Sequence, residues 1–326
     1  MELARYGIAI ALATASAGIA AQTWSPQKNV EIVAGSAPGG SNDKTARTME
    51  RVLAANKLVA TTLTVVNKPG GGGSIAYTYV SQRAADAHYL AIGSSNLLSN
   101  HIVGSSTLTY HDFTPLALLY NDYAVFAVQS ESPIKTGKDL AERLRKDPRS
   151  VVLGFANTFG GSRHIAAGLL VKAVGSNVRD LKPVVFKGSA EAITAMLGGH
   201  IEVVVIGAVN AIGHVANGRM RVIAVAAPQR FSSGVLATAP TWKEQDIDLA
   251  YGNWRAIFGP KGLSAQQLAY WQDTLRKMSE TAAWKADLEK NYWSREFIVG
   301  EKLREEIGRE NAYLKTMLAE LGLARM

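Results

Sequence analysis

The chain has 326 residues, 47% of them hydrophobic, and it contains no cysteine. This length suits two domains, the composition is too polar for a protein with many membrane spans, and the lack of cysteine excludes disulfide frameworks, thiolate metal sites and cysteine nucleophiles. The net charge is +8, but Lys and Arg are scattered beside Glu and Asp, which is typical of solvated helix faces and argues against nucleic-acid binding.

The N-terminal segment has the pattern of a secretion signal. Residues 8–21 form an uncharged, apolar run that is preceded by Arg5 and ends in small residues. The run is shorter than the roughly 20 residues that a membrane-spanning helix needs. It predicts a signal peptide over residues 1–21, with cleavage near Ala20 or Ala21 and export to the periplasm. The alternative is a buried N-terminal helix.

Beyond this segment, short runs rich in Val and Ile alternate with helical patterns, which predicts an α/β architecture with largely parallel sheets. The predicted strands are residues 30–34, 63–66, 89–92, 114–120, 124–128, 151–155, 184–186, 203–206, 222–226 and 249–258. The predicted helices are residues 43–57, 74–83, 139–146, 162–173 and 189–197 and nearly all of the chain from Ser264 onward, and residues 93–100 are predicted to be a polar loop.

The order of these elements predicts two domains with a cleft between them. Residues 249–258 read as a strand that runs back toward the first group of strands, so the chain crosses twice, near 121–123 and near 251–253. The first domain would then be discontinuous, with residues 22–122 plus 252–326, and the second would be 123–251. Clefts at domain interfaces and at strand carboxyl ends are where α/β proteins bind ligands.

A glycine-rich loop follows the first predicted strand, at residues 35–43 (loop one). Glycines let backbone N–H groups converge, and the next helix directs its positive end to the same point, which suits a carboxylate. The alternative is an ordinary tight turn. Asp43 is predicted to be the helix N-cap rather than a catalytic acid. A phosphate-binding P-loop is disfavoured because Asp43 stands where that motif needs Gly, and its negative charge would repel a phosphate.

A second loop, residues 67–74 (loop two), contains four consecutive glycines. Gly71, Gly73 and Ala76 match a dinucleotide-binding fingerprint between a strand and a helix, so an NAD(P)-dependent oxidoreductase is the best enzymatic alternative. Such a site needs an acidic residue near the end of the next strand. Residues 92–96 contain none, which disfavours a nucleotide.

A third loop, residues 157–164 (loop three), also precedes a helix. Ser162 is either a ligand donor or the N-cap, and Arg163 either pairs with a second ligand carboxylate or is surface charge. Phe159 either stacks on an aromatic acid or packs, and His164 is expected to be packed rather than to act as a base. The chain has no G-x-S-x-G elbow and no metal-binding spacing among its six histidines, so we expect no catalytic residue, no metal and no cofactor.

At these loops the sequence resembles the tripartite tricarboxylate transporter substrate-binding proteins, the Bug family. The resemblance is distributed over nearly the whole mature chain, and the order and spacing of its segments are specific. The segments are Ala37-Pro38-Gly39-Gly40 with Asp43, Ala46 and Arg47; Asn67 with residues 69–73; residues 112–115; Gly160-Gly161-Ser162 with His164; Gly198-Gly199 with Ile201-Glu202; residues 218–221 through Ala224; and residues 239–241 with Glu244.

The resemblance implies a two-lobed periplasmic binding protein type II fold with a ligand cleft between two βα domains and a helical C-terminal tail. It also implies capture of a carboxylate, a monomeric receptor and membrane permease subunits of a tripartite transporter as partners. The ligand contacts that it implies are Ala37, Pro38, Gly39, Gly40, Ser41, Asn42, Gly70, Gly71, Gly72, Gly73, Ser74, Ser94, Ser95, Asn96, Thr158, Phe159, Gly160, Gly161, Ser162, Gly207 and Asn210. The charge of Arg163 makes it a further candidate contact.

The sequence departs from the family pattern where the ligand would be chosen. Asn42 stands where a large or aromatic residue is expected, and Arg163 stands where an acid is common. Residues 253–255 look like the branch often associated with tricarboxylates, but these departures leave di- and tricarboxylates and aromatic acids open. Arg163 would favour an additional negative charge on the ligand. A signalling receptor with the same fold is a further alternative.

Overall fold

The structure is a computed structural model and describes residues 24–156 and 158–325. The predicted signal peptide lies outside these residues. Within them, no helix combines the length and the apolar character that crossing a membrane requires.

The described residues form ten strands and ten helices that alternate along most of the chain. The strands are β1 (Val30–Ala34), β2 (Leu63–Asn67), β3 (Tyr89–Gly93), β4 (Phe113–Gln129), β5 (Leu153–Ala156), β6 (Val184–Phe186), β7 (Val203–Gly207), β8 (Met220–Val225), β9 (Gly252–Pro260) and β10 (Trp293–Ile298). The helices are α1 (Ser41–Ala55), α2 (Ser74–Ser81), α3 (Asn96–Ile102), α4 (Gly137–Lys146), α5 (Ser162–Ala173), α6 (Ser189–Leu197), α7 (Ala208–Ala216), α8 (Ala265–Glu280), α9 (Ala282–Lys290) and α10 (Gly300–Glu320).

Two mixed sheets share the long strand β4. The first sheet has parallel β2, β1 and β3, followed by antiparallel β9, the first part of β4, and β10. The second sheet contains the later part of β4 with β8 on one edge and parallel β7, β5 and β6 on the other. Asp122 still pairs with β9 and Ala124 already pairs with β7, so the chain passes between the sheets at this point.

Several predicted elements were wrong. The two strands predicted at 114–120 and 124–128 are one strand, because antiparallel partners bind the backbone through the polar break at Asn121 and Asp122. The predicted polar loop at 93–100 contains the start of α3. The helical tail contains β10, which adds an edge to the first sheet. Helix α7 was not predicted; it begins directly after Gly207, is only nine residues long and contains Gly213, which lowers helix propensity.

The C-terminal helix α10 packs on helices beside both sheets. Its last turn reaches α5, where Lys172 Nζ lies 2.7 Å from Glu320 Oε2 and the side chain of Leu321 lies against Gly168. A few residues later the Arg325 N–H donates to the carbonyl of Ile102 at the end of α3. The C-terminal tail therefore contacts α3, on the side of the first sheet, and α5, on the side of the second sheet.

A cavity of about 300 Å³ lies between α10 and strands β4, β9 and β10, and its walls carry three glutamates, Glu296, Glu306 and Glu310. Burial raises the pKa of Glu310 to about 7, and nearby Glu306 adds to this effect, while the Tyr251 hydroxyl, 3.3 Å away, opposes it. Arg309 also lines the cavity. A carboxyl group that is less acidic when folded costs stability once it ionises.

We therefore expect Glu310→Gln to stabilise the protein at pH 8 by about 3 kcal/mol and to have little effect at pH 4.5. The folded-state pKa is above the unfolded value, so the wild type loses this stability as pH rises from about 4.5 to 7. Urea unfolding of both proteins at the two pH values measures the difference. Glu305→Gln, at an exposed position on the same helix, is the control. An equal gain at both pH values would show that Glu310 titrates normally.

Candidate functional site

Loop one is held in place by the buried carboxylate of Asp43. This carboxylate accepts hydrogen bonds from the Gly39 N–H at 2.8 Å, Asn67 Nδ2 at 2.9 Å and Arg47 Nε at 3.0 Å. Burial alone would raise the pKa of Asp43, but these hydrogen bonds outweigh it and hold the pKa below its ordinary value. Asp43 was predicted to be the N-cap, which is wrong. The cap position is Gly40, and Asp43 lies in the first turn, where its side chain folds back over the loop.

The start of α1 leaves backbone donors open. The Asp43 N–H donates to the Ser36 hydroxyl, and the Gly40 N–H donates to Ala37 O. The N–H groups of Ser41 and Asn42, by contrast, have no protein acceptor among the described residues. First-turn N–H groups have no intrahelical partner and carry the positive end of the helix dipole, so this point suits an anion.

Loop two has a backbone that only glycine adopts readily. Gly70, Gly71, Gly72 and Gly73 have φ values of 122°, 55°, 62° and 100°. A Cβ on Gly35 of loop one would lie 2.8 Å from the Gly73 Cα, so the two loops are in contact. The run of glycines is therefore explained by the turn and by the close approach of loop one, and it needs no bound nucleotide.

Helix α3 fixes the orientation of loop two. Asn100 Nδ2 donates to the carbonyl of Gly71 at 3.0 Å and is 3.3 Å from that of Gly72, and Asn96 Nδ2 is 3.4 Å from Gly72 O. Because the asparagines bind the carbonyl oxygens, those oxygens are directed toward α3. Asn100 was not among the predicted site residues; a polar side chain four residues after Asn96 on one helix face is the signal that indicates it.

The serines before α3 lie deeper than the prediction implies. Ser94 and Ser95 are buried, with 4% and 0% of their surface exposed, and the Ser95 hydroxyl donates to Asn253 Oδ1 at 3.0 Å. This bond joins the end of β3 to β9. The structure therefore shows both serines in packing contacts, whereas Asn96, at the start of α3, is partly exposed.

Loop three is closely packed against the first sheet's helices. A Cβ on Gly160 would lie 2.9 Å from Val103 and 3.3 Å from Leu318, so this glycine lets the loop approach α3 and α10. A Cβ on Gly161 would lie 3.8 Å from Asn96 Oδ1. Thr158 O accepts the Gly161 N–H. Ser162 is the first residue of α5 rather than its cap, and it is buried.

The two aromatic side chains of loop three pack against each other and against Phe155 of β5. The Phe159 ring is half exposed and meets Phe155 and His164 edge-on, while His164 stacks on Phe155. His164 Nδ1 accepts the Gly160 N–H at 3.0 Å, as expected for a packed histidine. Burial lowers the pKa of His164 to about 4, so the ring is neutral at physiological pH.

We expect the stability that neutral His164 provides to be lost as pH falls from about 6.5 to 4, by about 3 kcal/mol in total. The sign follows because the folded pKa lies below the unfolded value, so the unfolded chain takes up the proton first. Asparagine keeps an acceptor for Gly160 without titrating, so the difference in unfolding free energy between His164→Asn and the wild type should change between pH 7 and 4.5. A constant difference would contradict the burial effect.

Helices α1, α2, α3, α5, α6 and α7 follow strands and have no side-chain cap at the residue before their first turn. Among them, α1, α5 and α7 follow Gly40, Gly161 and Gly207, which have no side chain to act as a cap, although the Ser36 hydroxyl accepts one first-turn N–H of α1. Helices α4, α8 and α9 begin instead after Thr or Ser residues whose side chains accept first-turn N–H groups. The uncapped starts leave donors that an anion can satisfy.

Between the sheets lies a buried group of three charged residues, Arg163, Asp122 and Arg255, here called the charge cluster. Arg163 Nη2 lies 2.6 Å from Asp122 Oδ2, and Arg255 Nη2 lies 3.8 Å from the same oxygen. Arg255 is 4% exposed and donates to the Ser41 hydroxyl at 2.8 Å, at the first residue of α1. One of the two alternatives for Arg163 was a surface charge. That alternative is wrong, because the side chain is largely buried and is paired with Asp122.

Gly207 makes room for this cluster. A Cβ at this position would lie 2.9 Å from Arg163 Nη2 and 3.1 Å from Asp122 Oδ2. The residue was predicted to contact the ligand, but its absent side chain has a packing explanation. Asn210 lies in the first turn of α7 and is partly exposed.

The predicted site residues thus fall into connected groups. Loops one and two contact each other, α3 contacts loop two and loop three, and Arg163 contacts Gly207. The exposed members are Ala37, Pro38, Gly39, Gly70, Gly71 and Phe159. Sequence reasoning missed Asp122 as a site residue and gave Arg255 no role of its own. In the part of the chain that the structure describes, no group of three or more His, Asp or Glu side chains could hold a metal ion.

Comparison with known proteins identifies the family. Residues 46–302 match the model of the tripartite tricarboxylate transporter family receptor. BugT of Bordetella pertussis is 25% identical over 267 residues, which cover 80% of this chain and 78% of BugT. A solved TctC solute-binding protein from Polaromonas, also 25% identical, has a TM-score of 0.71 and covers 91% of this chain and 99% of its own.

A third protein, from R. palustris and solved with adipate, has a TM-score of 0.81 at 20% identity, over 92% of this chain and 99% of that one. These similarities show the mixed α/β fold of periplasmic binding proteins. With a family model that matches most of its length, the chain belongs to the tripartite tricarboxylate transporter receptor family.

Proposed function

We propose that this protein is a periplasmic solute receptor that binds a small carboxylic acid between its two sheets and performs no chemistry on it. One carboxylate of the ligand would accept hydrogen bonds from the open N–H groups of Ser41 and Asn42 and from the glycines of loop two. The observation that carries the proposal is the net positive charge of the charge cluster, in which Arg255 lies directly behind Ser41.

The charge balance of the cluster supports an anionic ligand. Asp122 provides one negative charge for two guanidinium groups, and it is closer to Arg163 than to Arg255. The Nε of Arg255 has no hydrogen-bond partner within residues 24–156 and 158–325. A buried group with a net charge is costly, so an anion near Ser41 would be stabilised both by the positive charge of the cluster and by the N-terminus of α1.

The comparisons support the same ligand class. The R. palustris protein of the same fold was solved with adipate, a dicarboxylate. The uncapped helix starts on both sheets are compatible with binding an acid between them. We propose that Asn96 and Gly161 mark the edge along which the two lobes close on it.

We also propose the biological setting. The first lobe would comprise residues 22–122 and 252–326 and the second residues 123–251, with closure about the two strand crossings. During closure of the lobes, the last turn of α10 would either slide along α5 or move together with it. After removal of a signal peptide at 1–21, the protein would act in the periplasm as a monomer and deliver its ligand to the membrane permease subunits of a tripartite transporter.

Isothermal titration calorimetry of the purified protein with a series of acids and their amides tests the proposal. Glutarate, adipate, tricarballylate and phthalate are compared with glutaramide and adipamide, which keep the shape and lose the charge, and with NAD and ATP. At least one acid should bind while its amide does not. Binding of an amide as tightly as its acid, or of a nucleotide alone, would contradict the proposal.

A further inference from the structure

The charge cluster combines residues from both lobes. Asp122 lies in β4 at its passage between the sheets, Arg163 lies in the first turn of α5 and Arg255 lies in β9. All three side chains are largely buried, with 11% of the Arg163 side chain, 2% of that of Asp122 and 5% of that of Arg255 exposed. Water therefore screens their charges weakly.

Asp122 determines the net charge of this cluster. Its Oδ2 faces both guanidinium groups, while its Oδ1 has no hydrogen-bond partner among the described residues. With one carboxylate and two guanidinium groups the cluster carries +1. Without Asp122 it would carry +2, and without Arg163 it would be neutral.

We infer that Asp122 is a specificity-determining residue that selects dicarboxylates by holding the buried charge at +1, an inference that rests on the proposed function. The cluster neutralises one ligand carboxylate beside Ser41. A second carboxylate is left to the uncapped N-termini of α5 and α7, whose dipoles stabilise an anion. A third carboxylate would add a charge that the cluster does not neutralise.

Arg163 acts indirectly in this scheme. The sequence suggested that it binds a ligand carboxylate itself, but its guanidinium is held by Asp122 and lies against Gly207. It is therefore a positioning residue that fixes the Asp122 carboxylate and contributes to the total charge.

Three variants change the charge in a controlled way. Asp122→Asn gives a cluster of +2, Arg163→Gln gives a neutral cluster, and the double variant Asp122→Asn/Arg163→Gln restores +1 without the ion pair. Butyrate, glutarate and tricarballylate share a short carbon chain and carry one, two and three carboxylates. Calorimetric Kd values for each acid give the preference of each protein for ligand charge.

The wild type is expected to bind glutarate most tightly. Asp122→Asn should shift the Kd ratio of glutarate to tricarballylate by about tenfold in favour of the tricarboxylate, and Arg163→Gln should shift the butyrate-to-glutarate ratio by about tenfold in favour of butyrate. The double variant should return both ratios to within about threefold of the wild type. A purely structural role would weaken all three acids together and would show no such return.

The outcomes distinguish failure of the proposed function from failure of the role inferred for Asp122. If the wild type binds none of these acids, nor any acid in the wider series, the proposed function fails and the inference fails with it. Only the inference about Asp122 is overturned if the wild type binds an acid but prefers a mono- or tricarboxylate. The same holds if Asp122→Asn does not shift the preference toward tricarballylate or if Arg163→Gln does not shift it toward butyrate. Thermal unfolding confirms that each variant is folded, and if Asp122→Asn is not, the Arg163→Gln shift decides alone.

Discussion

Replacing Gly71 with Asp is expected to weaken binding of the preferred acid by more than 100-fold. Gly71 is exposed in loop two and has a φ of 55°, a conformation that Asp tolerates better than most residues. A Cβ at this position would lie 3.3 Å from the Ser74 Cβ, so Ser74 must shift by a few tenths of an ångström, and the positive φ adds a backbone strain that Asn at the same position would share. The new carboxylate would stand where the ligand carboxylate is proposed to bind, and the two would repel each other.

Gly71→Asn is the matched control. Asparagine has the same shape and the same tolerance of this backbone conformation, but it carries no charge. Calorimetry should show a loss of at most about tenfold for Asn. Equal losses for the two variants would mean that shape rather than charge matters at Gly71, and unchanged affinity in both would remove loop two from the site.

Replacing Arg255 with Met is expected to weaken binding by about 100-fold, corresponding to roughly 3 kcal/mol, as for a charged hydrogen-bonding group that faces an anion in a buried site. Methionine fills much of the same volume and leaves Asp122 paired with Arg163, so the cluster becomes neutral. The Ser41 hydroxyl also loses its guanidinium partner. Calorimetry with the preferred acid measures the loss.

Arg255→Lys separates charge from geometry. Lysine keeps the positive charge but not the planar group that contacts the carbonyls of Asn253 and Trp254. We expect it to retain affinity to within about tenfold of the wild type. If lysine and methionine lose the same affinity, the guanidinium acts through packing, and the electrostatic explanation of the site is wrong.

The sequence allowed prediction of those features that depend on local pattern. Apolar periodicity and glycine loops clearly mark three elements whose predicted bounds match the structure. They are the helices at 162–173 and 189–197 and the strand at 184–186. The family was also predicted, and the match over residues 46–302 confirms it. Helix α3 was missed because its polar residues Asn96 and Asn100 resemble a loop; their role is to bind the carbonyls of loop two.

The buried charges could not be predicted from the sequence because they depend on long-range contacts. Asp122 and Arg163 are 41 residues apart and meet only because β4 passes between the sheets. Arg255 reaches Ser41 across 214 residues. No local spacing encodes these contacts, so Arg163 was interpreted as a ligand contact or as surface charge. The position of Asp43 in the first turn of α1 was also missed because of a long-range contact, since its partner Asn67 belongs to the next strand.

A crystal structure of the protein with the acid that binds most tightly in calorimetry tests the proposed ligand site directly. We expect one carboxylate within hydrogen-bonding distance of the N–H groups of Ser41 and Asn42, with loop two glycines on its other side and Arg255 still bound to the Ser41 hydroxyl. A ligand whose carboxylates lie away from both glycine loops, or in the groove of about 620 Å³ between residues 228–233 and 285–295, would contradict it.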